Sequence, residues 1–147
     1  MEILSDETFR KLCDHCLEYK TRCALVVPTR QDASQFMNEN AISDEVKERF
    51  GIKRCLRSWI EFINGSYIVI IPANMAMLRG HRFEKVLCSL DCLRHADLET
   101  LHYVMYLERS NRAYWVNSEW EQCTKTPALA DRDLGEMDTA DVSALFV

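Results

Sequence analysis

The dipeptide Asn64-Gly65 constrains the fold of this chain more than any other feature of its sequence. It lies between residues 57–63 and residues 66–71, two runs rich in β-branched and aromatic side chains. Asn-Gly between such runs is the strongest short-range signal for a β-hairpin, because both central positions of the favoured turn need positive φ. The sequence therefore predicts an antiparallel hairpin in which Asn64 and Gly65 are the two central turn residues, with Gly65 at positive φ.

Three short apolar segments predict further strands. They are residues 23–27, which Pro28 ends; residues 83–90, which Asp91 follows; and residues 113–116. Continuous apolar runs of this length are typical of strands that are buried on both sides of a sheet. We therefore expect a buried and mostly parallel sheet around them.

Helix signals alternate with these strands. Ser5 is a suitable N-cap for a first helix, and Thr29 with Asp32 forms a variant capping box for a second. Ser43 and Asp97 are expected to cap two more helices. The order helix, strand, helix, helix, hairpin, strand, helix, strand favours an α/β fold, a three-layer domain with a mostly parallel sheet and an antiparallel hairpin.

The length of 147 residues is usual for one domain with a single sizeable core. We assign residues 1–123 to one α/β domain. Residues 124–147 contain Pro127 and Gly135 and carry most of the net charge of −5. They predict an acidic C-terminal tail with a frayed end and a short helix at residues 139–146.

Nothing in the sequence predicts secretion or a membrane span. The first residues have neither a basic nor an apolar stretch, and the apolar runs are far shorter than the ~20 residues that a membrane helix needs. Seven cysteines, an odd number without regular spacing, are typical of reduced thiols rather than of a disulfide framework. These features predict a cytosolic protein without membrane contact.

Four segments carry a resemblance to a known family. They are residues 24–30 (ALVVPTR), 62–68 (FINGSYI), 78–83 (LRGHRF) and 85–91 (KVLCSLD). In content and order they resemble the ATPase domain of phage terminase large subunits. In that domain the phosphate-loop helix precedes a strand and a helix, and a hairpin, an Arg-Gly loop and a strand ending in Asp-Glu follow.

The resemblance implies a truncated P-loop ATPase core from which the phosphate loop is missing. The chain contains no Gly-x-x-x-x-Gly-Lys-Ser/Thr sequence, whose backbone N–H groups, lysine and hydroxyl hold nucleotide and Mg²⁺. Asp91 stands where the family has its Mg²⁺-binding acid, and Cys92 stands where it has the glutamate that orients the attacking water. Because a thiol cannot replace that carboxylate as a base, we expect a remnant that does not hydrolyse ATP and has no catalytic residue and no cofactor.

Basic residues form two groups that can line a phosphate-binding face. Glutamates interleave with both groups, so a solvated surface of mixed charge is the competing interpretation. The candidate binding residues are Arg54, Arg57, Arg79, Arg82 and Asp91.

Two groups of cysteine and histidine residues have spacings that zinc ligands use. Cys13 and Cys16 complete the apolar stripe of the first helix, and Cys23 and Cys88 lie in predicted strands, so we expect buried thiols and no metal. The three tryptophans are likewise assigned to the core and its rim rather than to a base-stacking platform. The groups are Cys13, His15, Cys16 and Cys23, and Cys88, Cys92 and His95; the tryptophans are Trp59, Trp115 and Trp120.

The sequence therefore predicts a phage- or prophage-encoded protein that acts in the host cell cytosol without catalysis, by binding nucleic acid or a protein partner. An alternative is a phage inhibitor of a host defence system, similar to anti-CRISPR proteins, that blocks a nucleic-acid site. The acidic tail favours that alternative. A third hypothesis is an enzyme that uses a cysteine or a metal, for which the chain has no complete motif. The oligomeric state stays open.

Overall fold

The computed structural model describes residues 6–39, 44–56, 58–105, 107, 113–125 and 139–146. The helices are α1 (Asp6–Tyr19), α2 (Arg30–Glu39), α3 (Asp44–Arg49), α4 (Met75–Leu78), α5 (Cys92–His95) and α6 (Leu98–Met105), with a 3-10 helix at Val142–Phe146. The strands are β1 (Arg22–Val27), β2 (Ile52–Leu56), β3 (Trp59–Phe62), β4 (Tyr67–Pro72), β5 (Lys85–Ser89), β6 (Tyr114–Val116), β7 (Gln122–Thr124) and β8 (Ala140–Asp141). Among the helices described, none is long and apolar enough to cross a membrane.

The strands form one sheet in the order β2-β3-β4-β1-β5-β6-β7-β8. At its centre, β1 pairs in parallel with β4 and with β5, and β5 pairs in parallel with β6. The pairs β2–β3, β3–β4, β6–β7 and β7–β8 are antiparallel. The predicted α/β class is confirmed, but the sheet is mixed rather than mostly parallel, because antiparallel strands extend both of its margins.

Alternate side chains of β1 enter two separate parts of the core. Cys23, Leu25 and Val27 belong to a first cluster that also holds side chains of α1, α2 and the 3-10 helix. Ala24 and Val26 belong to a second cluster, which holds side chains of α4, α5 and α6. Because β1 is buried on both sides, it has the unbroken apolar sequence from which it was predicted.

The hairpin between β3 and β4 is present, but its turn differs from the predicted one. Gly65 has a φ of +87°, as expected, whereas the positive φ expected at Asn64 is not observed. The Gly65 N–H donates to the Phe62 carbonyl at 3.0 Å, and the Phe62 N–H donates to the Ser66 carbonyl at 2.9 Å. The loop therefore has three residues, with Ile63 and Asn64 at its centre and Gly65 at the bulge position that follows. The predicted turn is wrong by one residue.

The two predicted N-caps that fall within the described residues are confirmed. Before α2, the Thr29 N–H donates to the Asp32 carboxylate at 3.0 Å, and the Asp32 N–H donates to the Thr29 hydroxyl at 3.2 Å. Asp97 caps α6 by accepting a bond from the Thr100 N–H at 2.8 Å. The other two predicted caps, at positions 5 and 43, lie outside the described residues.

Five short elements were not predicted from the sequence. In β2 only Ile52 is buried, so the strand lacks an apolar period of two. The helices α4 and α5 are four residues long, which is too short for a helical pattern. The strands β7 and β8 have three and two residues and depend on pairing with their neighbours in the sheet.

Residues 139–146 pack on the folded body, and the short helix expected there is present as the 3-10 helix at Val142–Phe146. The strand β8 pairs with β7, and Val142 and Phe146 are buried in the first core cluster. The Phe146 ring lies 5.8 Å from the His15 ring on α1. Apolar side chains therefore dock this end of the chain on the body. Residues 126–138, which contain most of the acids of the predicted tail, lie outside the described residues.

Candidate functional site

The parallel strands bring their carboxyl ends to one side of the sheet, which we call the carboxyl edge. There β1 ends at Val27 and β4 at Pro72, and the Ala73 N–H donates to the Val27 carbonyl at 2.8 Å. The strands β1 and β5 are neighbours, but the chain continues from them toward opposite margins of the sheet. In open α/β sheets, ligands bind at the carboxyl edge beside such a pair of strands.

Asp91 lies at the carboxyl edge, directly after β5 and before α5. Its side chain is exposed and makes no capping bond to the helix. Its N–H donates to the Ser89 hydroxyl at 3.2 Å, which holds the backbone as it leaves the strand. This predicted binding residue is therefore at the edge where a ligand is expected in such a sheet.

Cys92, the next residue, is in the core instead. It is fully buried, and its Sγ lies 3.8 Å from the Val26 carbonyl oxygen. Burial raises the pKa of the neighbouring Cys88 thiol well above its usual range, and a hydrogen bond with Cys92 raises it further. Cys88 is therefore a neutral, unreactive thiol at physiological pH. Position 92 presents no side chain to solvent at the carboxyl edge.

Arg54, one of the predicted arginines, does not lie near Asp91. Arg54 lies on the edge strand β2, and its Nε donates to Glu61 Oε2 on β3 at 2.6 Å. Three strands separate β2 from β5, which places Arg54 roughly 19 Å from Asp91 across the sheet at the usual strand spacing. Arg54 and Asp91 therefore belong to different parts of the sheet, the β2 margin and the carboxyl edge.

Two other candidate arginines lie between α4 and β5. Arg79 ends α4, where its N–H donates to the Met75 carbonyl at 3.1 Å, and its side chain is exposed. Arg82 is also exposed. Arg57, the remaining candidate, lies outside the described residues.

The first cysteine group consists of buried thiols, as expected. Cys13, Cys16 and Cys23 are fully buried in the first core cluster. Burial raises the pKa of Cys16 to about 12, and Glu84 raises it in the same direction. His15 contacts Thr21, whose hydroxyl lies 2.8 Å from Nδ1. Within the part of the chain that the structure describes, no three His, Cys, Asp or Glu side chains are grouped so as to hold a metal ion.

A row of aromatic rings crosses the sheet between β3 and the start of β5, and it was not found from the sequence. The rings of Trp59 and Tyr67 are stacked, with centroids 4.2 Å apart and an interplanar angle of 19°. The Tyr67 ring lies 6.3 Å from that of Phe83, and the Phe83 ring is stacked 5.6 Å from that of His81. Trp59 and Tyr67 are partly exposed, and His81 is exposed.

The register of the hairpin brings these rings together. Trp59 is opposite Val69, and Glu61 is opposite Tyr67, so Trp59 and Tyr67 are diagonal neighbours on one side of the sheet. The alternation of side chains between the two sides of the sheet predicts the Trp59–Tyr67 pair only if the turn is placed correctly, because a shift of one residue moves Tyr67 to the other side. Of the three tryptophans, Trp115 and Trp120 are buried, and Trp59 is partly exposed at the rim, where stacking on a ligand, which was not expected from the sequence, is sterically open to it.

A salt bridge joins the amino ends of β1 and β5 beside this row. The Arg22 guanidinium donates to the Glu84 carboxylate, with Nη2 to Oε1 at 3.0 Å. The Arg22 N–H also donates to Glu84 Oε2 at 3.0 Å. Partial burial alone would raise the pKa of Glu84, but the bonds from Arg22 outweigh it and lower that pKa below its usual value. The Glu84 carboxylate therefore stays ionised, and the positive charge of Arg22 compensates its negative charge.

Comparisons with protein-family models, with curated proteins and with solved structures find no significant match for this chain. Its function is therefore inferred from its own residues.

Proposed function

We propose that this protein is a non-catalytic binding protein, a phage- or prophage-encoded remnant of a terminase-like ATPase domain. Its target is nucleic acid or a protein partner in the host cell cytosol. The observation that carries the proposal is the contrast between Asp91 and Cys92 at the end of β5. Asp91 is exposed at the carboxyl edge, whereas Cys92 is fully buried. This edge has an exposed acid without the second carboxylate that would position an attacking water.

The order of the structural elements supports the resemblance on which the proposal rests. The elements α1, β1 and α2 come first, and the β3–β4 hairpin follows. Arg79-Gly80 and β5 come next, with Asp91 directly after the strand. The terminase-like ATPase domain has its corresponding segments in the same order.

A three-layer core, in which helices cover both sides of the sheet, is part of the same proposal. The two core clusters on either side of β1 support it, because the first holds side chains of α1 and α2 and the second holds side chains of α4, α5 and α6. Such a core presents its carboxyl edge and its margins to partners, since helices cover both sides of the central strand β1.

A pull-down with a nuclease control tests the binding function. Tagged protein is incubated with host lysate, with and without prior nuclease treatment, and the retained nucleic acid and protein are both identified. A tagged α/β protein of similar size and charge is the control. We expect one specific target, recovered in proportion to the bait, that the control does not retain. Retention of nothing above the control from either lysate contradicts the proposal.

A further inference from the structure

One side of the β2–β4 part of the sheet is open, and we call it the Trp59 face. Its members share one side because the register places Leu56 opposite Trp59, and Trp59 opposite Val69. Leu56 is 55% exposed, and Trp59 belongs to neither core cluster. The Trp59 face consists of Arg54, Leu56, Trp59, Glu61, Tyr67 and Val69.

The aromatic rings on this face are already held in place. Tyr67 packs against the second core cluster, and Trp59 is stacked on Tyr67. His81 is stacked on the fully buried Phe83 with an interplanar angle of 9°. A planar ligand that stacks on the exposed part of Trp59 or on His81 therefore meets a ring whose rotamer freedom is already restricted, which lowers the entropic cost of binding.

The charges around the face favour an anionic ligand. Two carboxylates near the face are each neutralised by an arginine, Glu61 by Arg54 and Glu84 by Arg22. The segment that borders the face, residues 79–83, contains no acid and adds the exposed Arg79 and Arg82, of which Arg82 already has an interaction partner. Among the described residues, the segment next to the aromatic row is therefore basic, although the whole chain has a net charge of −5.

We infer that the Trp59 face binds single-stranded nucleic acid, with bases stacked on Trp59 and His81 and phosphates held by the bordering arginines. The inference rests on the proposed binding function and names its target. Rings interleaved with arginines are the combination that single-stranded nucleic acid requires, because every base has a π-face and every nucleotide carries a charge. A duplex does not offer its base faces to such a row.

A protein partner fits this face less well. A specific protein interface buries about 800 Å² on each partner and is depleted in charge at its centre. Here the Arg54–Glu61 ion pair lies beside the rings, and Leu56 is the one aliphatic side chain of the face that is more than half exposed. The aromatic and cationic character of the face therefore favours nucleotides over an apolar protein surface.

Fluorescence anisotropy of a labelled oligothymidylate, about 12 nucleotides long, tests the inference. We expect binding at low salt that weakens about 10-fold or more in Trp59→Ala, because the variant loses the ring on which a base stacks. Trp59→Phe keeps a ring and should retain most of the affinity. A duplex of the same length should bind more weakly than the single strand.

Salt dependence tests the arginines without changing the core. Arg79→Gln should lower the slope of log K against log salt by about 0.7, the value for one phosphate contact with a single strand. Arg10→Gln, a change at an exposed position on α1, is the matched control and should leave the slope unchanged. Thermal melts of each variant show that folding is intact.

Two outcomes overturn the inference. The first is no oligonucleotide binding at low salt, while the pull-down retains a protein that nuclease does not release; the proposed binding function then stands with a different target. The second is oligonucleotide binding that is equally strong in Trp59→Ala and keeps its salt slope in Arg79→Gln, which places the nucleic acid on another surface.

Discussion

The side-chain amide of Asn64 donates to the main-chain carbonyl of Cys16 at 3.0 Å, and so joins the hairpin to the last turn of α1. The same Nδ2 donates to the Leu17 carbonyl at 2.9 Å. Both carbonyls are among the last four of the helix, which have no partner within it. The Asn64 Oδ1 accepts bonds from the Ser66 N–H and hydroxyl at 3.1 and 2.5 Å. One amide therefore fixes the loop conformation and ends α1.

Removal of this amide should destabilise the protein. We expect Asn64→Ala to lower the free energy of unfolding by about 1–3 kcal/mol, because partly buried carbonyls of Cys16 and Leu17 lose their donor. Asn64→Asp should cost at least as much, since it also places negative charge at the carboxyl end of α1. Denaturant melts measure both variants. An Asn64→Asp protein within about 0.5 kcal/mol of wild type would show that the bonds to α1 contribute nothing.

The bulge glycine gives a second test of the hairpin. Gly65 has a φ of +87°, and a Cβ there would lie 3.7 Å from Lys20 Cε, so space is available and the backbone conformation is the obstacle. Gly65→Val should therefore destabilise by roughly 1–3 kcal/mol. Ser66→Ala should cost about 1 kcal/mol, more than a surface strand position, because Ser66 is fully buried and bonds to Asn64. Equal melting of Gly65→Val and wild type would refute the turn geometry.

The position of Cys92 predicts what a glutamate would do there. Cys92→Glu should destabilise by about 3 kcal/mol or more, because it buries a carboxyl group among apolar side chains without a charged partner. Asp91→Glu, at the exposed neighbouring position, is the control and should change stability by less than about 0.5 kcal/mol. Chemical denaturation compares the two. A Cys92→Glu protein as stable as wild type would mean that position 92 opens to the carboxyl edge.

The lowered pKa of His15 predicts that the protein loses stability in mild acid. Burial lowers its pKa below the usual value of about 6.5, and the positive charge of Lys85 lowers it further. Between these two pKa values the unfolded chain binds the proton and the folded chain does not, so stability falls as pH decreases through that window. His15→Gln should flatten this part of the pH profile. Melting temperatures measured from about pH 7.5 to about pH 5 test it, and an unchanged profile in His15→Gln would contradict it.

The parts of the fold that sequence identified are those that local chemistry determines. The Thr29–Asp32 capping box needs only residues three positions apart, and both of its bonds are present. The run that became β1 is apolar throughout because both sides of the strand are buried. By contrast, β2 has one buried residue, Ile52, and exists because it pairs with β3.

The candidate site was harder to predict because it depends on contacts between distant segments. Asp91 was identified from its position after an apolar run. By contrast, the location of Arg54 depends on the strand order, and its side chain is engaged by Glu61 on the neighbouring strand. The aromatic row joins Trp59 to His81 through residues of different strands, so a register error of one residue hides it. The docking of Phe146 on α1 likewise has no local signal.

The central claim, that this is a binding protein and not an ATPase, is tested most directly by measuring phosphate release from ATP. The purified protein should release no more phosphate than buffer, with or without single-stranded nucleic acid, and Asp91→Asn should be indistinguishable from wild type. Turnover that Asp91→Asn abolishes would show that the carboxyl edge is a working catalytic site, and the account given for Cys92 would be wrong.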